Sequence, residues 1–127
     1  MSDPLSSTRP RLVAKPWGEE RVFAEGTRYA GKLILIRKGE ALSLQYHDRK
    51  EETIHVLEGV LGLFVERDGL RRDLRLGPGE SFHIEPGTRH RMTAPEVDCL
   101  LVEVSTPELD DVVRLEDRYG RQGTSAP

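Results

Sequence analysis

Four side chains in this sequence have the types and the spacing to hold a divalent metal ion. Gln45 and His47 lie two apart in the run ALSLQYH, Glu52 follows five residues later, and His90 stands just beyond the turn EPGTR. Along a strand, side chains alternate faces, so Ser43, Gln45 and His47 point one way while Leu42, Leu44 and Tyr46 point the other. A polar inner file inverts the pattern of an ordinary sandwich, whose apolar file faces the core. Glu52 shares its face with Ile54 and Val56, and an acid heading an apolar file calls for an ion as its partner. Together the four offer a carbonyl oxygen, two imidazoles and a carboxylate, a borderline donor set suited to Zn, Mn, Fe, Co or Ni. Any one of these residues beside a turn is usually just solvated, so spacing alone leaves both readings open.

The elements that must bring them together are short. Runs rich in Val, Ile, Leu and Phe, among them RVFAE, YAGKLILIR, TIHVLEG, VLGLFVER, SFHI and CLLVEVS, are separated by Gly and Pro. That spacing predicts an all-β sandwich or barrel of antiparallel strands. The segments RKGE, RDG and LGPGE supply glycines where tight turns need a positive φ, and they read as turns rather than as a phosphate loop. One helical turn is expected at Pro107–Val113, with Ser105 or Thr106 as cap and acids at its start. The 127 residues suit one domain. Residues 1–14 are expected to be a flexible segment, 15–121 the domain and 122–127 a loose tail.

Composition narrows the function. Hydrophobic residues make up 36% and charged residues 32%, the balance of a soluble globular chain, and no apolar run reaches the ~20 residues that span a bilayer. No basic start leads into an apolar run, so the expected location is cytoplasmic and no membrane is expected as partner. A net charge of −3 lacks the basic excess of a protein that tracks phosphate backbones, so nucleic acid is not an expected partner. The single cysteine, Cys99, sits in an apolar run and reads as a buried small hydrophobe rather than a nucleophile. His55 and His83 fall out of phase with their inward neighbours and are not counted as ligands.

The run from Gly39 to Gly59 resembles the first cupin motif, with Gln45 in place of its first histidine, His47 and Glu52 in register and Gly59 closing it. Gly79, Gly87 and His90 resemble the second motif, with Pro86 displaced by one position. Within the cupins the sequence is similar to type II phosphomannose isomerases, through Lys15–Gly18 (KPWG), Leu42–Gln45 (LSLQ) and Arg114–Arg121 (RLEDRYGR). The resemblance implies a jelly-roll barrel, a double-stranded β-helix, and a metal held by Gln45, His47, Glu52 and His90. It also implies interconversion of mannose 6-phosphate and fructose 6-phosphate. Between the ligands the chain departs from the family's His- and Arg-rich stretch, with Asp48, Arg49, Lys50, Glu51, Thr53 and Ile54 in its place. A cupin that binds a sugar-like or anionic ligand without turnover is the alternative expectation.

For the ligand's anion, Lys50, Arg91 and Arg114 are the candidate contacts, and Arg118 and Arg121 could also fold over the mouth. No residue stands out as a base that is not itself a ligand, so the catalytic group is unassigned. The outward apolar file and the Ile34–Ile36 run point to a homodimer in which strands of one subunit cover the other.

Overall fold

A computed structural model describes residues 3–123 and contains, among them, eleven strands and no helix. In chain order these are β1 (Arg11–Lys15), β2 (Gly18–Glu25), β3 (Ala30–Ile36), β4 (Leu44–Tyr46), β5 (Glu52–Glu58) and β6 (Leu61–Arg67). They are followed by β7 (Leu70–Leu76), β8 (Ser81–Ile84), β9 (Arg89–Thr93), β10 (Cys99–Ser105) and β11 (Val113–Glu116). All pair antiparallel in two sheets, ordered β1-β2-β3-β10-β5-β8 and β11-β4-β9-β6-β7. The expected all-β architecture, a jelly roll of two packed sheets, is the one observed.

The period-2 pattern explains which side faces in. Glu52, Ile54 and Val56 of β5 are buried while Thr53 and His55 are not, and Leu61, Leu63 and Val65 of β6 do the same. Ile34, Ile36, Leu101, Ile84 and Met92 complete an apolar core between the sheets, with Trp17 against it. Turn chemistry fixes the register: Asp68 and Gly69 both take positive φ (52° and 78°), the two-residue loop that suits the twist of the β6–β7 hairpin. At Gly18 the backbone of β2 lies so close to the Leu35 carbonyl that a Cβ would overlap it.

Several expectations are corrected. Strand pairing begins at Arg11, ahead of the boundary expected at Lys15, because β1 pairs with β2 along its whole length. The expected tail 122–127 falls largely outside the described residues, as does the start of segment 1–14. The stretch expected as a helical turn at Pro107–Val113 forms successive turns over 107–112 and no helix, with Val113 opening β11: the segment is too short to offset the cost of nucleation, and the Asp111 carboxylate is taken by another loop. Leu42 is inside the core rather than outward, since the regular strand covers only Leu44–Tyr46 and alternation lapses before it. Ile34 and Ile36 are core residues; Leu33 and Leu35 are the ones on the outer face.

Cys99 is buried, and burial pushes its thiol up to about 11, in keeping with the inert role expected. His55 and His83 lie outside the core, on Ser81 and Thr53 respectively.

After β11 the chain is held by Asp117, which accepts hydrogen bonds from the Arg121 backbone (2.7 Å) and from Nε and Nη2 of its guanidinium (2.9 and 3.1 Å). Burial alone would raise this carboxyl; the Arg121 bonds and the charge of Arg114 outweigh it and hold it below its ordinary value. The folded pKa being depressed, the stabilisation is complete above the ordinary carboxylate range and lost as pH falls through the lower folded value. Asp117→Asn should therefore melt below the parent protein at neutral pH, and thermal scans should show the gap narrowing once the pH drops below about 4.

Candidate metal centre

Three strands and one loop converge on a single point inside the barrel. Glu52 opens β5, His90 is the second residue of β9, and His47 follows β4 directly; Gln45 on β4 is the cross-strand partner of His90. His47, Glu52 and His90 are buried and each brings one donor atom, all within 4.8 Å of one another. Glu52 Oε1 lies 3.4 Å from His47 Nε2 and 3.3 Å from His90 Nε2. None of these approaches is aligned as a hydrogen bond, and both Nε2 atoms and both Glu52 oxygens are buried without a hydrogen-bond partner among the described residues.

The other ring nitrogens explain why. His47 Nδ1 meets the Asp111 carbonyl oxygen at 2.5 Å and His90 Nδ1 meets the Thr88 carbonyl oxygen at 2.9 Å. A carbonyl can only accept, so each Nδ1 donates a proton there and each Nε2 is the ring atom left facing Glu52. Two ring nitrogens and a carboxylate oxygen therefore meet in a buried interior, where a cation between them, a metal ion or a shared proton, would hold them together. Backbone carbonyls placed in this way orient metal-bound imidazoles. The residues fit a divalent ion, with imidazole and carboxylate donors of the borderline class.

Gln45 lines the same cavity, and its Oε1 accepts the Ser43 hydroxyl at 2.6 Å. Lys50 is buried there too, its Nζ 3.4 Å from Glu52 Oε2 and 3.0 Å from Glu103 Oε2. Burial would push the Glu52 carboxyl up, but the two imidazoles and Lys50 outweigh it and hold the group well below the usual carboxylate range. Burial lowers the Lys50 ammonium, yet Glu103 and Glu52 overcome this and raise it. Arg114 lines the cavity from β11, opposite Gln45 in register. Arg91 is not brought to the cavity: His90 takes the inward position, so Arg91 turns to the other face, bonds the Leu42 carbonyl and approaches Glu116.

Four groups at the site were not singled out from the sequence. Glu103 on β10 is fully inward and continues a chain of alternating charge, since Lys32 Nζ lies 3.9 Å from Glu103 Oε2 and 3.2 Å from Glu20 Oε1. Burial, and then repulsion from Glu52, raise the Glu103 carboxyl against the pull of Lys50 and Lys32. A signal existed: Glu20, Lys32 and Glu103 each interrupt the apolar phase of a strand, as Glu52 does. Asp111 gave none, because its role depends on a long-range contact. Its carboxylate accepts the backbone N–H groups of Asp48, Arg49 and Lys50 at 3.2, 2.7 and 3.0 Å, while its carbonyl holds His47.

Fold and site together define a cupin whose barrel mouth carries a potential metal centre. Residues 5–117 match the family described as "Mannose-6-phosphate isomerase C-terminal", and the chain belongs to that family. Over 115 residues it is 37% identical to mannose-1-phosphate guanylyltransferase of Escherichia coli (strain K12), covering 87% of this chain and 23% of that protein. Over 119 residues it is 34% identical to the xanthan biosynthesis protein XanB of Xanthomonas campestris pv. campestris, covering 91% of this chain and 25% of that one. The chain thus spans about a quarter of the length of these relatives. The fold is shared with oxalate decarboxylase from Bacillus subtilis, at a TM-score of 0.76 and 14% identity, over 89% of this chain and 33% of that one. The expectation of a mannose 6-phosphate isomerase is corrected here: the relative at 37% identity bears the name of a guanylyltransferase.

Because Asp111 anchors the loop that carries His47 and Lys50, Asp111→Ala should leave a folded protein whose affinity for Zn²⁺ or Mn²⁺ falls by about 10–100-fold, read by calorimetric titration.

Proposed function

We propose that this chain is a metal-dependent cupin unit of the mannose-1-phosphate guanylyltransferase kind, and that it holds a mannose phosphate at the barrel mouth through a divalent ion. The observation that carries the reading is the inward convergence of two imidazole nitrogens and a carboxylate oxygen that have no hydrogen-bond partner among the described residues. Gln45 is the proposed fourth ligand, its carbonyl oxygen being the remaining donor on the inner face of β4. Zn, Mn, Fe, Co and Ni all suit the set. When bound, such an ion acts as a Lewis acid toward sugar oxygens. The chain's own part is to exclude water, to fix both imidazole tautomers through backbone carbonyls and to balance Glu52 with Lys50.

The sugar phosphate comes from the relatives' names and is supported by size. The cavity beside the metal ligands measures about 50 Å³. That is space for about three to five waters, enough for the head of a small ligand and far too little for a guanine nucleotide. Nucleotidyl transfer is accordingly not assigned to this cavity. The described residues contain no helix long and apolar enough to cross a membrane, and a cytoplasmic setting is part of the proposal.

Association of two copies is also proposed. The outer face of the larger sheet carries Leu33, Leu35, Leu100 and Val102, with Phe23 and Val104 exposed beside them, an apolar surface a second copy would cover.

Metal analysis of the purified protein, with Gln45→Ala and His90→Ala variants alongside, tests the central reading. Near-stoichiometric metal in the parent protein and loss of about ten-fold or more in affinity in both variants is expected. A parent protein that binds no divalent ion after dialysis against it would sink the proposal. The same sample should sediment as a dimer at micromolar concentration; a monomer would remove the association.

A further inference from the structure

The three metal donors are shut off from water: His47, Glu52 and His90 are 4%, 2% and 1% exposed. The cavity beside them, about 50 Å³, has room for a few waters and not for a whole sugar phosphate. Whatever reaches the donors must therefore displace part of the wall, and the wall is not equally firm all round. Glu20, Ile34, Met92 and Glu103 come from β2, β3, β9 and β10, each of which is paired on both sides. Lys15 comes from β1, an edge strand, yet one paired with β2 at every residue. Residues 112–121, which bring Val112, Arg114 and Arg121 to the cavity, are held differently.

The near end of this segment is fixed, because Asp111 accepts the backbone N–H groups of Asp48, Arg49 and Lys50 while its carbonyl meets His47. Beyond it, β11 lies at a sheet edge and pairs with β4 only at Val113 with Tyr46, Arg114 with Gln45 and Glu116 with Leu44, with a register shift before the last. Arg91 adds one long bond to the Glu116 carbonyl, at 3.4 Å. The far end is clasped to the β3–β4 turn. There the Tyr119 hydroxyl donates to Glu40 Oε2, and Arg118 Nη1 donates to the Gly39 carbonyl at 2.9 Å. That turn is itself pinned, since Gly39 N–H donates to the Ala94 carbonyl and Ala94 N–H to the Glu40 carbonyl, at 2.8 and 3.1 Å. Asp117 and Arg121 bond each other, so they brace the segment without tying it to the barrel. An edge segment of this kind, braced within, fixed at one end and clasped at the other, opens locally at far lower cost than a core strand.

We infer that residues 112–121 form a strap that swings about Asp111, with the Tyr119–Glu40 hydrogen bond as its latch, and that a metal ion reaches His47, Glu52 and His90 beneath it. The inference rests on the metal reading for what passes under the strap; the movement belongs to the chain itself. Two roles in the C-terminal segment are thereby separated. Asp111 holds the loop that carries His47, and so sets how tightly an ion is bound. Tyr119 touches none of the donors: its ring rests against the core and its hydroxyl is spent on Glu40. A latch that closes over the site whether or not an ion is inside changes the rates of entry and exit and leaves their ratio alone.

The first test needs no metal and uses the full chain with Val112→Cys. The new thiol lies beneath the strap, while native Cys99 is buried in the core and reports unfolding of the whole domain. With excess dithionitrobenzoate reagent, position 112 should react about ten-fold or more faster than Cys99. Its rate should change little with urea below the unfolding transition, because opening a strap exposes little surface, whereas the Cys99 rate should climb steeply. Adding Tyr119→Phe should speed the reaction at 112 by about five-fold or more, the effect of losing a hydrogen bond to a charged acceptor. Tyr29→Phe, at an exposed tyrosine, should not. In protein that keeps Val112, Tyr119→Phe should release Zn²⁺ to a competing chelator about five-fold or more faster, with the calorimetric Kd within about two-fold of the parent. Equal rates and equal urea dependence at 112 and Cys99 would overturn the strap, since it would then open only with the whole domain. An unchanged rate at 112 in Tyr119→Phe would overturn the latch. Faster labelling with unchanged Zn²⁺ release would overturn the strap as the route to the donors. A parent protein that binds no Zn²⁺ would sink the metal reading, and the thiol rates alone would then decide the strap.

Discussion

A carboxylate with no access to water sets the terms for this molecule. Moving an ionised group from water into a protein interior costs several kcal/mol even after relaxation, and Glu52 is almost wholly buried between the sheets. The fold answers that cost on both oxygens. Oε2 faces Lys50, which in turn faces Glu103, and Lys32 and Glu20 continue the alternation toward the mouth. Oε1 faces two imidazole nitrogens whose protons are committed on the far side of each ring to backbone carbonyls. One side of the carboxylate is thus balanced by the chain itself, and the other meets the two imidazoles, where the proposed ion would sit.

The same constraint gives meaning to the C-terminal segment. In sequence, residues 106–121 follow the last long strand and show little apolar periodicity. In the structure they close it: Asp111 ties down the loop that presents His47 and Lys50, β11 pairs with β4 behind Gln45, and Asp117 with Arg121 fixes the end of the segment at the cavity wall. Tyr119 reaches back to Glu40, and Arg118 to the Gly39 carbonyl, at the turn that leads into the ligand-bearing strand. A segment with little regular structure therefore orients groups at the centre of the protein.

The fold was legible because its signals are local. Strand alternation at Thr53–Val56 and Leu61–Val65, and turn glycines such as Gly69, act over a few residues and read directly from the sequence. The donors at the site were legible for the same reason: Gln45, His47 and Glu52 lie within eight residues and share an inward phase, and His90 follows a recognisable turn. Arg91 was misplaced although alternation already turned it away from His90. Glu103, Lys32 and Glu20 were passed over because a charged residue inside a strand is ordinarily solvated, and only the pairing of β3 with both β2 and β10 shows that they neutralise one another. Asp111 could not be read at all, since its value comes from contacts across more than sixty residues of sequence. Resemblance located the fold and overreached on the reaction, where relatives that share the cupin carry a different name.

The most direct test of a cation between His47, Glu52 and His90 is anomalous diffraction from crystals of the protein soaked in Zn²⁺ or Mn²⁺, recorded on either side of the metal's absorption edge. The account requires one strong anomalous peak within coordination distance, about 2.0–2.2 Å, of His47 Nε2, His90 Nε2 and a Glu52 oxygen. A fully metal-loaded crystal with no peak at that point, or with the ion bound elsewhere and the three side chains hydrogen-bonded among themselves, would contradict it.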